Sequence, residues 1–335
     1  MFKRVLITGG AGYVGAVLVP RLLAAGYVLT VLDLFLYGDH VLDPVRDNPG
    51  LTIVKGDMRD RSLVAEALQN CDAVIHLACI SNDPSFELNP DLGRSINYDA
   101  FRPLVQACRD AGVRRFIYAS TSSVYGISVA ENVTEEHPLK PLTDYSRFKA
   151  LCEDILLEHQ AADFVPVIVR PATVCGYSPR QRLDVIVNIL TNHAVNRGRI
   201  TVTGGIQKRP NIHIDDMARI YHRLLEFEDP KIAGKIYNIG SVNHTVSEIA
   251  RIVRTEVMLR IPGHDVSIAV EPTDDLRSYH ICSDKIGKEL GLSTEKTIAD
   301  AVRDLVDAFR EGKLPHPLDD IRYYNVKTMQ AIGLK

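Results

Sequence analysis

The chain has 335 residues, of which 46% are hydrophobic and 24% are charged, and its formal net charge is −3. This length and apolar content predict a large core, buried in one α/β unit or in two unequal lobes. The mild acidity gives no sign of a nucleic-acid surface, so an anionic ligand would have to be held by local arginines or helix ends.

The six cysteines are scattered, with no C-x-x-C pair and no cluster of cysteine and histidine at zinc spacing. This usage predicts free thiols in a reducing compartment and no metal site. No apolar run approaches the roughly 18 residues of a membrane span, and the stretch "MFKRVLI" is too short for a signal peptide. We therefore expect a cytoplasmic protein with neither a membrane nor a nucleic acid as its partner.

Short apolar runs alternate with helical patterns through the first half of the chain. Strands are predicted over 4–8, 27–33, 51–57, 72–78 and 114–120, and helices follow the first, third and fourth of them. The runs are continuously apolar, as in a parallel sheet that is covered on both faces. This order predicts an α/β fold with a Rossmann-like, doubly wound parallel sheet.

Beyond about residue 175 the pattern becomes less regular, and loop-rich stretches occur near 176–184 and 206–214. We predict a dinucleotide-binding domain over 1–175 and a smaller C-terminal lobe, mostly substrate-binding, over 176–335. Some segments of that lobe are expected to return to the main sheet.

The segment "TGGAGYVG" places Gly9, Gly12 and Gly15 between the first strand and the first helix. Glycines let backbone N–H groups approach a pyrophosphate at the positive end of a helix, although any loop that needs positive φ would also explain them. Asp33 ends the second strand, where a carboxylate would bind the adenosine ribose and repel a 2′-phosphate; the alternative is a solvated turn residue. Because no arginine or lysine follows in "LFLYGDH", we predict NAD rather than NADP.

Asp57 ends the third strand, where it would lie near the adenine or cap the next helix. A later helix is predicted to begin at Thr143 or Asp144, and it carries Tyr145 and Lys149 on one face. A neighbouring ammonium and a positively charged nicotinamide would lower the pKa of the phenol from about 10 and suit it to proton transfer.

In this order the motifs resemble those of the extended short-chain dehydrogenase/reductase family, which contains nucleotide-sugar epimerases, dehydratases and reductases. The segments that carry the resemblance span nearly the whole chain: "TGGAGYVG", Asp33, "GDMRD", "VIHLA", "INYDA", "ASTSSVYG", "YSRFK" and "RPNIHIDD". The resemblance implies that Tyr145 is the acid/base and that Thr121 hydrogen-bonds the reacting sugar oxygen. It implies that Lys149 orients the tyrosine and holds the nicotinamide ribose, and that Asn97 is structural.

The same resemblance implies the remaining ligands. The NAD-binding set would be Gly9, Gly12, Tyr13, Val14, Gly15, Asp33, Asp57, Met58, Leu77, Ala78, Ser120, Tyr145 and Lys149. The substrate-binding set would be Thr173, Asn188, Arg209 and Arg277, of which the two arginines match positions that clamp a nucleotide diphosphate in relatives. Arg180 and Arg182 would bind phosphate or form a solvated basic turn, and His213 would be a packed strand residue.

Family members that eliminate water across C5–C6 of the sugar carry an Asp–Glu pair directly after the threonine, whereas this chain has Ser122 and Ser123. The resemblance therefore disfavours a 4,6-dehydratase. It implies NAD-dependent oxidoreduction at C4 of a nucleotide-linked sugar, by an epimerase or a 4-dehydrogenase. An NAD(P)H-dependent reductase of a 4-keto sugar or another carbonyl compound is the alternative, and a non-catalytic dinucleotide-binding regulator is a third interpretation.

Relatives commonly dimerise through two helices from each subunit. Residues 97–112 and 146–159 are the matching candidates here, although both helices would also suit full burial within one subunit. We expect a homodimer that acts on a nucleotide-diphosphate sugar.

Overall fold

A computed structural model of the chain describes residues 2–273 and 278–333. The strands, in chain order, are β1 (Arg4–Thr8), β2 (Val28–Asp33), β3 (Leu51–Lys55), β4 (Ala73–His76), β5 (Arg115–Ala119), β6 (Val165–Pro171), β7 (Thr173–Cys175), β8 (Arg199–Thr203), β9 (Lys208–His213), β10 (Lys235–Ile239), β11 (Asn243–Thr245) and β12 (Ser267–Glu271). The helices are α1 (Gly15–Ala24), α2 (Arg61–Ala67), α3 (Asp83–Glu87), α4 (Pro90–Arg94), α5 (Phe101–Asp110), α6 (Asp144–Glu158), α7 (Ile186–Arg197), α8 (Ile214–Glu226), α9 (Asp229–Ile232), α10 (Val246–Arg260), α11 (Asp284–Leu290), α12 (Ile298–Arg310) and α13 (Asn325–Ile332).

Seven strands form a parallel sheet in the order β10-β6-β5-β4-β1-β2-β3. The chain winds outward from β1 to β3 and then crosses to β4, β5 and β6 on the other side. This reversal makes the sheet doubly wound and opens a crevice at the carboxyl ends of β1 and β4, where such folds bind ligands. The predicted Rossmann-like α/β fold is confirmed.

The seventh strand comes from the second half of the chain. β10 pairs with β6 from Lys235–Val167 to Ile239–Pro171, so the main sheet is not confined to residues 1–175. The stretch near 206–214, which we expected to be loop-rich, is largely β9, paired with β7 and β11. Its polar residues and Pro210 hid the strand, since proline is unusual inside a sheet. The domain boundary at residue 175 stays a prediction.

Both faces of the main sheet are covered by helices, which explains why its strands are continuously apolar. Leu6 and Ile7 are neighbours in β1 and both are fully buried, but they belong to different clusters. Ile7 packs in the cluster that includes α1 and α8, and Leu6 packs in the cluster that includes α5 and α6. A third cluster joins α7, α10 and α12 next to β8.

Helix α6 begins as its sequence predicted. Thr143 is the N-cap: its Oγ1 accepts a hydrogen bond from Ser146 N at 3.3 Å, and Ser146 Oγ accepts one from Thr143 N at 3.2 Å. This capping box fixes the first turn, on which Tyr145 lies. Within the described residues, no helix is long and apolar enough to cross a membrane.

Candidate active site

A cavity of about 450 Å³ lies at the carboxyl ends of the central strands. Most of the predicted site residues line it: Gly9, Gly12, Tyr13, Val14, Gly15, Asp33, Asp57, Met58, Leu77, Ala78, Ser120, Thr121, Tyr145, Thr173 and Arg209. Lys149 and Asn188 lie outside its lining, and Arg277 lies outside the described residues. The fold therefore brings together residues that are up to 200 positions apart in the chain.

The glycine loop forms a cradle that leaves no room for side chains at two of its glycines. Gly9 has a φ of 74°, and a Cβ there would come within 2.6 Å of the backbone nitrogen of Ala78, two residues after β4. A Cβ on Gly15 would overlap the carbonyl of Gly10. The loop thus needs glycine at both positions, and it leaves backbone free to approach a diphosphate.

Asp33 joins the glycine loop to the second strand. Its Oδ2 accepts a hydrogen bond from Ala11 N at 2.9 Å, and its Oδ1 accepts one from Phe35 N at 2.7 Å. Burial raises the pKa of Asp33, while these donors and the charge of Arg180 oppose the rise. Asp33 is therefore a half-buried residue of the cavity wall and not a solvated turn residue, and each of its oxygens can accept a further hydrogen bond.

Asp57 is paired with Arg59, whose Nη2 lies 2.6 Å from Asp57 Oδ2. Burial raises the pKa of Asp57, but the hydrogen bonds and charge of Arg59 outweigh it and lower the pKa overall. The helix that follows is capped by Asp60, which accepts hydrogen bonds from Ser62 N and Leu63 N. The alternative that Asp57 caps α2 is therefore wrong.

Tyr145 is half-buried at the centre of the site. Desolvation raises its pKa well above the usual range, Cys79 and Asp83 raise it further, and a hydrogen bond with Thr121 opposes them. The Nζ of Lys149, which lies outside the cavity lining, donates to Ala119 O at 2.6 Å. The lowered pKa was expected with both Lys149 and a positively charged nicotinamide beside the phenol, so it stays a prediction for the NAD-bound protein.

The hydroxyl cluster after β5 divides into separate roles. Ser120 Oγ donates to Glu153, away from the reacting groups. Thr121 Oγ1 accepts a hydrogen bond from Ser123 N at 3.2 Å and so caps the short helix Ser122–Tyr125. Thr121, Ser122 and Ser123 all line the cavity, so the wall beside Tyr145 presents hydroxyls where an acidic pair would otherwise stand.

The sequence-based prediction missed a carboxylate, Asp83, at the start of α3. It lines the cavity, and its Oδ1 accepts a hydrogen bond from Thr143 Oγ1 at 2.5 Å. The signal was available, because Ser81, Asn82 and Asp83 closely follow the strand β4, and polar residues at that end of a parallel strand face the ligand crevice.

Asn188 is not placed as a substrate contact. Its side chain is fully buried, its Nδ2 donates to Tyr13 Oη at 2.9 Å and to Arg182 O at 2.7 Å, and its Oδ1 accepts from Gly176 N at 3.0 Å. These bonds use up its amide, and they fasten the segment after β7 to the glycine loop. Asn188 therefore supports the wall of the site from behind.

Arg209 stands where two cavities meet. It lines the main cavity and also a second one of about 620 Å³, which is bounded by α7 and β8. Its guanidinium carbon lies 5.3 Å from the centroid of the Tyr279 ring. The second cavity also contains His193, Arg197 and Arg199, and its basic lining suits an anionic nucleotide.

Two other expectations concern structural residues. Asn97 binds both backbone groups of Ile80, with distances of 2.8 and 2.9 Å, and so holds the segment after β4. His213 is buried in β9, and its Nε2 lies 3.1 Å from Asp304 Oδ2. Asp215 completes this group, but the ammonium of Lys296 lies between the two carboxylates, 2.6 and 3.5 Å away, so we assign no metal here.

Comparison with known proteins agrees with this geometry. The sequence matches the model of the NAD dependent epimerase/dehydratase family over residues 5–240. The chain belongs to this family. It is 28% identical over 331 residues to a dTDP-glucose 4,6-dehydratase from Streptomyces niveus, covering 92% of this chain and 94% of that protein.

Solved structures of this family are also similar. A dTDP-glucose 4,6-dehydratase from Streptomyces venezuelae, solved with NAD and TYD bound, has a TM-score of 0.81 and 28% identity, covering 93% of this chain and 98% of that one. A UDP-glucose 4-epimerase from Thermus thermophilus in complex with NAD has a TM-score of 0.78 and 26% identity, covering 92% and 99%. The prediction of NAD agrees with the family and with both structures.

The two helices predicted to form a subunit interface lie side by side. Arg102 on α5 donates to Glu158 on α6 at 2.8 Å, and Leu151 on α6 is 38% exposed. The other apolar residues of the same stripe on α6, Phe148, Cys152, Ile155 and Leu156, are buried. The homodimer itself stays a prediction.

Proposed function

We propose that this protein catalyses NAD-dependent oxidation and reduction at C4 of a nucleotide-diphosphate sugar, as an epimerase or a 4-dehydrogenase. The observation that carries the proposal is the pairing of Tyr145 with Thr121 in the main cavity, beside the hydroxyls of Ser122 and Ser123. Such a site can move a proton to and from a sugar hydroxyl, and it lacks an acidic pair at those positions.

The cavity fits the cofactor of the family. The cradle of Gly9, Gly12 and Gly15 would hold the diphosphate, and Asp33 would bind the adenosine ribose at the end of β2. Lys149 donates to the carbonyl of Ala119, a cavity residue at the carboxyl end of β5, and would lie near the nicotinamide ribose. When bound, NAD would supply the acceptor and donor of hydride for the sugar carbon.

The protein's own residues would then handle the proton. Tyr145 takes the proton from the sugar hydroxyl during oxidation and returns it during reduction, and Thr121 holds the same oxygen. Because desolvation raises the pKa of Tyr145, the phenol is protonated until positive charge is brought near it. Lys149 is the ammonium nearest to that position along α6, one turn from Tyr145.

The nucleotide would occupy the second cavity. Arg209 lines both spaces, so a diphosphate bound to it would place the sugar toward Tyr145 and the nucleoside toward α7 and β8. A planar guanidinium suits this linker, since it donates two parallel hydrogen bonds to phosphate oxygens.

A 4,6-dehydratase is the second candidate, because similar proteins carry that name. Elimination of water needs an acid for the departing O6 and a base for the C5 proton. Of the aspartates that line the main cavity, Asp33 and Asp57 belong to the glycine-loop end, which leaves Asp83 as the one near Tyr145. One carboxylate supplies half of what the elimination requires.

The first experiment is to denature freshly purified protein and identify the nicotinamide nucleotide that is released. Stoichiometric NAD supports a cofactor that is reduced and reoxidised within the site, as an epimerase requires. An empty site with weak NAD binding supports a dehydrogenase or a reductase that exchanges its cofactor. A protein that binds no nicotinamide nucleotide contradicts the proposal.

Tyr145→Phe gives the matching test of chemistry. The variant is expected to retain NAD but to lose at least about 100-fold in turnover of a nucleotide sugar, the usual scale for a lost acid/base. Tyr98→Phe is the control, because Tyr98 packs on Phe148 of the same helix at 5.0 Å between ring centroids. Unchanged turnover in Tyr145→Phe would contradict the assignment.

A further inference from the structure

The segment after β7 is fastened directly to the glycine loop. Tyr13 Oη donates to Gly176 O at 2.6 Å, and Ser178 Oγ donates to Tyr13 O at 2.8 Å. These bonds join two parts of the chain that are more than 160 residues apart. The side chains that follow Ser178 are therefore held over the cofactor end of the main cavity.

Arg180 is the first charged residue of this held segment, and it lies almost entirely out of solvent, 4% exposed. Its Nη2 donates to Asn325 Oδ1 at 2.5 Å, and its guanidinium carbon lies 3.5 Å from the centroid of the Tyr37 ring. Its Nε and Nη1 are buried without a hydrogen-bond partner among the described residues. The nearby Arg182, in contrast, is paired with Asp184 at 2.9 Å.

A buried guanidinium with two unused donors is costly unless an anion meets it. Arg180 lines the main cavity together with the glycine loop, Asp33 and Tyr37. The charge of Arg180 opposes the rise in pKa that burial causes at both Tyr13 and Asp33. Arg180 therefore acts on the glycine loop and on the residue expected to bind the ribose. Both free N–H groups belong to a charged guanidinium, and phosphate oxygens accept strong hydrogen bonds from such donors.

We propose that Arg180 binds the diphosphate of the dinucleotide, so that the second half of the chain clamps the cofactor against the glycine loop. The inference rests on the proposed function for the position of the dinucleotide. A nucleotide sugar carries the same diphosphate chemistry, but Arg209 stands at the junction that serves it. Arg180 stands beside Asp33 and Tyr37, which lie at the end of β2 and just after it, at the cofactor end.

The test compares Arg180→Met and Arg180→Lys with Arg209→Met, using calorimetric titration of protein freed of nucleotide. The probes are NAD, ADP-ribose, adenosine and UDP. For Arg180→Met we expect about 10- to 100-fold weaker binding of NAD and ADP-ribose, the scale of lost hydrogen bonds from a charged group. Adenosine and UDP should bind as before. The affinity of Arg180→Lys for NAD and ADP-ribose should lie between those of the wild type and Arg180→Met. Arg209→Met should weaken the binding of UDP alone.

A second readout separates the clamp from a purely structural role. Removing a buried charge that lacks an anion should leave the unliganded Tm of Arg180→Met unchanged or raised, while the rise in Tm on adding NAD shrinks. A lowered Tm with an unchanged response to NAD would overturn the proposal, as would a loss of UDP binding with NAD binding intact. Equal losses of adenosine and ADP-ribose would also overturn it. If the wild-type protein binds no NAD at all, the proposed function falls with it.

Discussion

Glu153 and Arg170 form a buried ion pair directly behind the hydroxyl cluster. Their side chains are 2% and 3% exposed, and Arg170 Nη2 lies 2.5 Å from Glu153 Oε2. Arg170 Nε donates to both carboxylate oxygens, at 3.0 and 3.2 Å, and Nη1 donates to Tyr125 Oη at 2.7 Å. Ser120 Oγ also donates to Glu153, so the pair connects α6 with β6 and with the wall of the main cavity.

The substitution Glu153→Gln removes one charge and leaves the other buried. We expect it to lower the free energy of unfolding by about 3 to 5 kcal/mol, because Arg170 would then be uncompensated. Arg170→Met should lower the free energy of unfolding by a similar amount, because Glu153 would then be the buried charge without a partner. The double variant should cost far less than the sum of the two, since the desolvation of both ions is then no longer required.

Urea unfolding followed by far-UV circular dichroism measures these free energies, and the lack of tryptophan in the chain rules out its fluorescence as a probe. Glu158→Gln is a control on the same helix, since the pair of Arg102 and Glu158 is 53% and 58% exposed and should contribute at most about 1 kcal/mol. Additive costs in the Glu153–Arg170 cycle would refute the reasoning, because they would mean that the two charges do not depend on each other.

Three further predictions concern the site and the sheet. Asp83→Asn should lower the pKa of Tyr145, because it removes a nearby negative charge, and should move the pH–rate profile of sugar oxidation to lower pH; an unchanged profile would contradict this. Burial lowers the pKa of His76 to about 3, so its stabilising contribution is present above about pH 6.5 and is lost as the pH falls toward 3. Between about pH 7 and 5 this loss should be about 2 kcal/mol in urea unfolding, and His76→Asn should remove that part of the pH dependence. Gly15→Ala should weaken NAD binding at least about 10-fold in calorimetry, because the added Cβ meets the backbone of Gly10. The control Gly287→Ala, within α11, should bind NAD normally. Equal NAD affinity of the two variants would contradict the role of the glycine loop.

The fold followed from the sequence because local patterns and tertiary burial agree in the main sheet. The run 4–8 has three consecutive apolar residues at its centre, and every residue of β1 after Arg4 is buried, so both faces of the strand are covered. Thr143 and Ser146 are a capping box that short-range chemistry alone specifies. β9 was missed since its polar residues and Pro210 resemble a loop, and its strand character depends on β7 and β11, which come from distant parts of the chain.

The sequence predicted most of the residues that line the site, but it did not predict where their side chains point. Spacing placed Tyr145 and Lys149 on one face of α6, yet the ammonium points to Ala119 O and the phenol is half-buried and desolvated. Asn188 looked like a ligand on a helix near the substrate, but its amide is taken up by the glycine loop and its neighbours. Asp83, in contrast, could have been predicted, because it belongs to a polar stretch that follows β4.

The most direct test of the central claim is the mass and C4 configuration of the product. The protein would be incubated with uridine, thymidine, cytidine and guanosine diphosphate hexoses, and the products would be analysed by mass spectrometry and NMR. Our account predicts a product that keeps its mass with C4 inverted, or one that has lost two hydrogens from C4 and its hydroxyl. A product that has lost the mass of one water, with a new methyl group at C6, would contradict it.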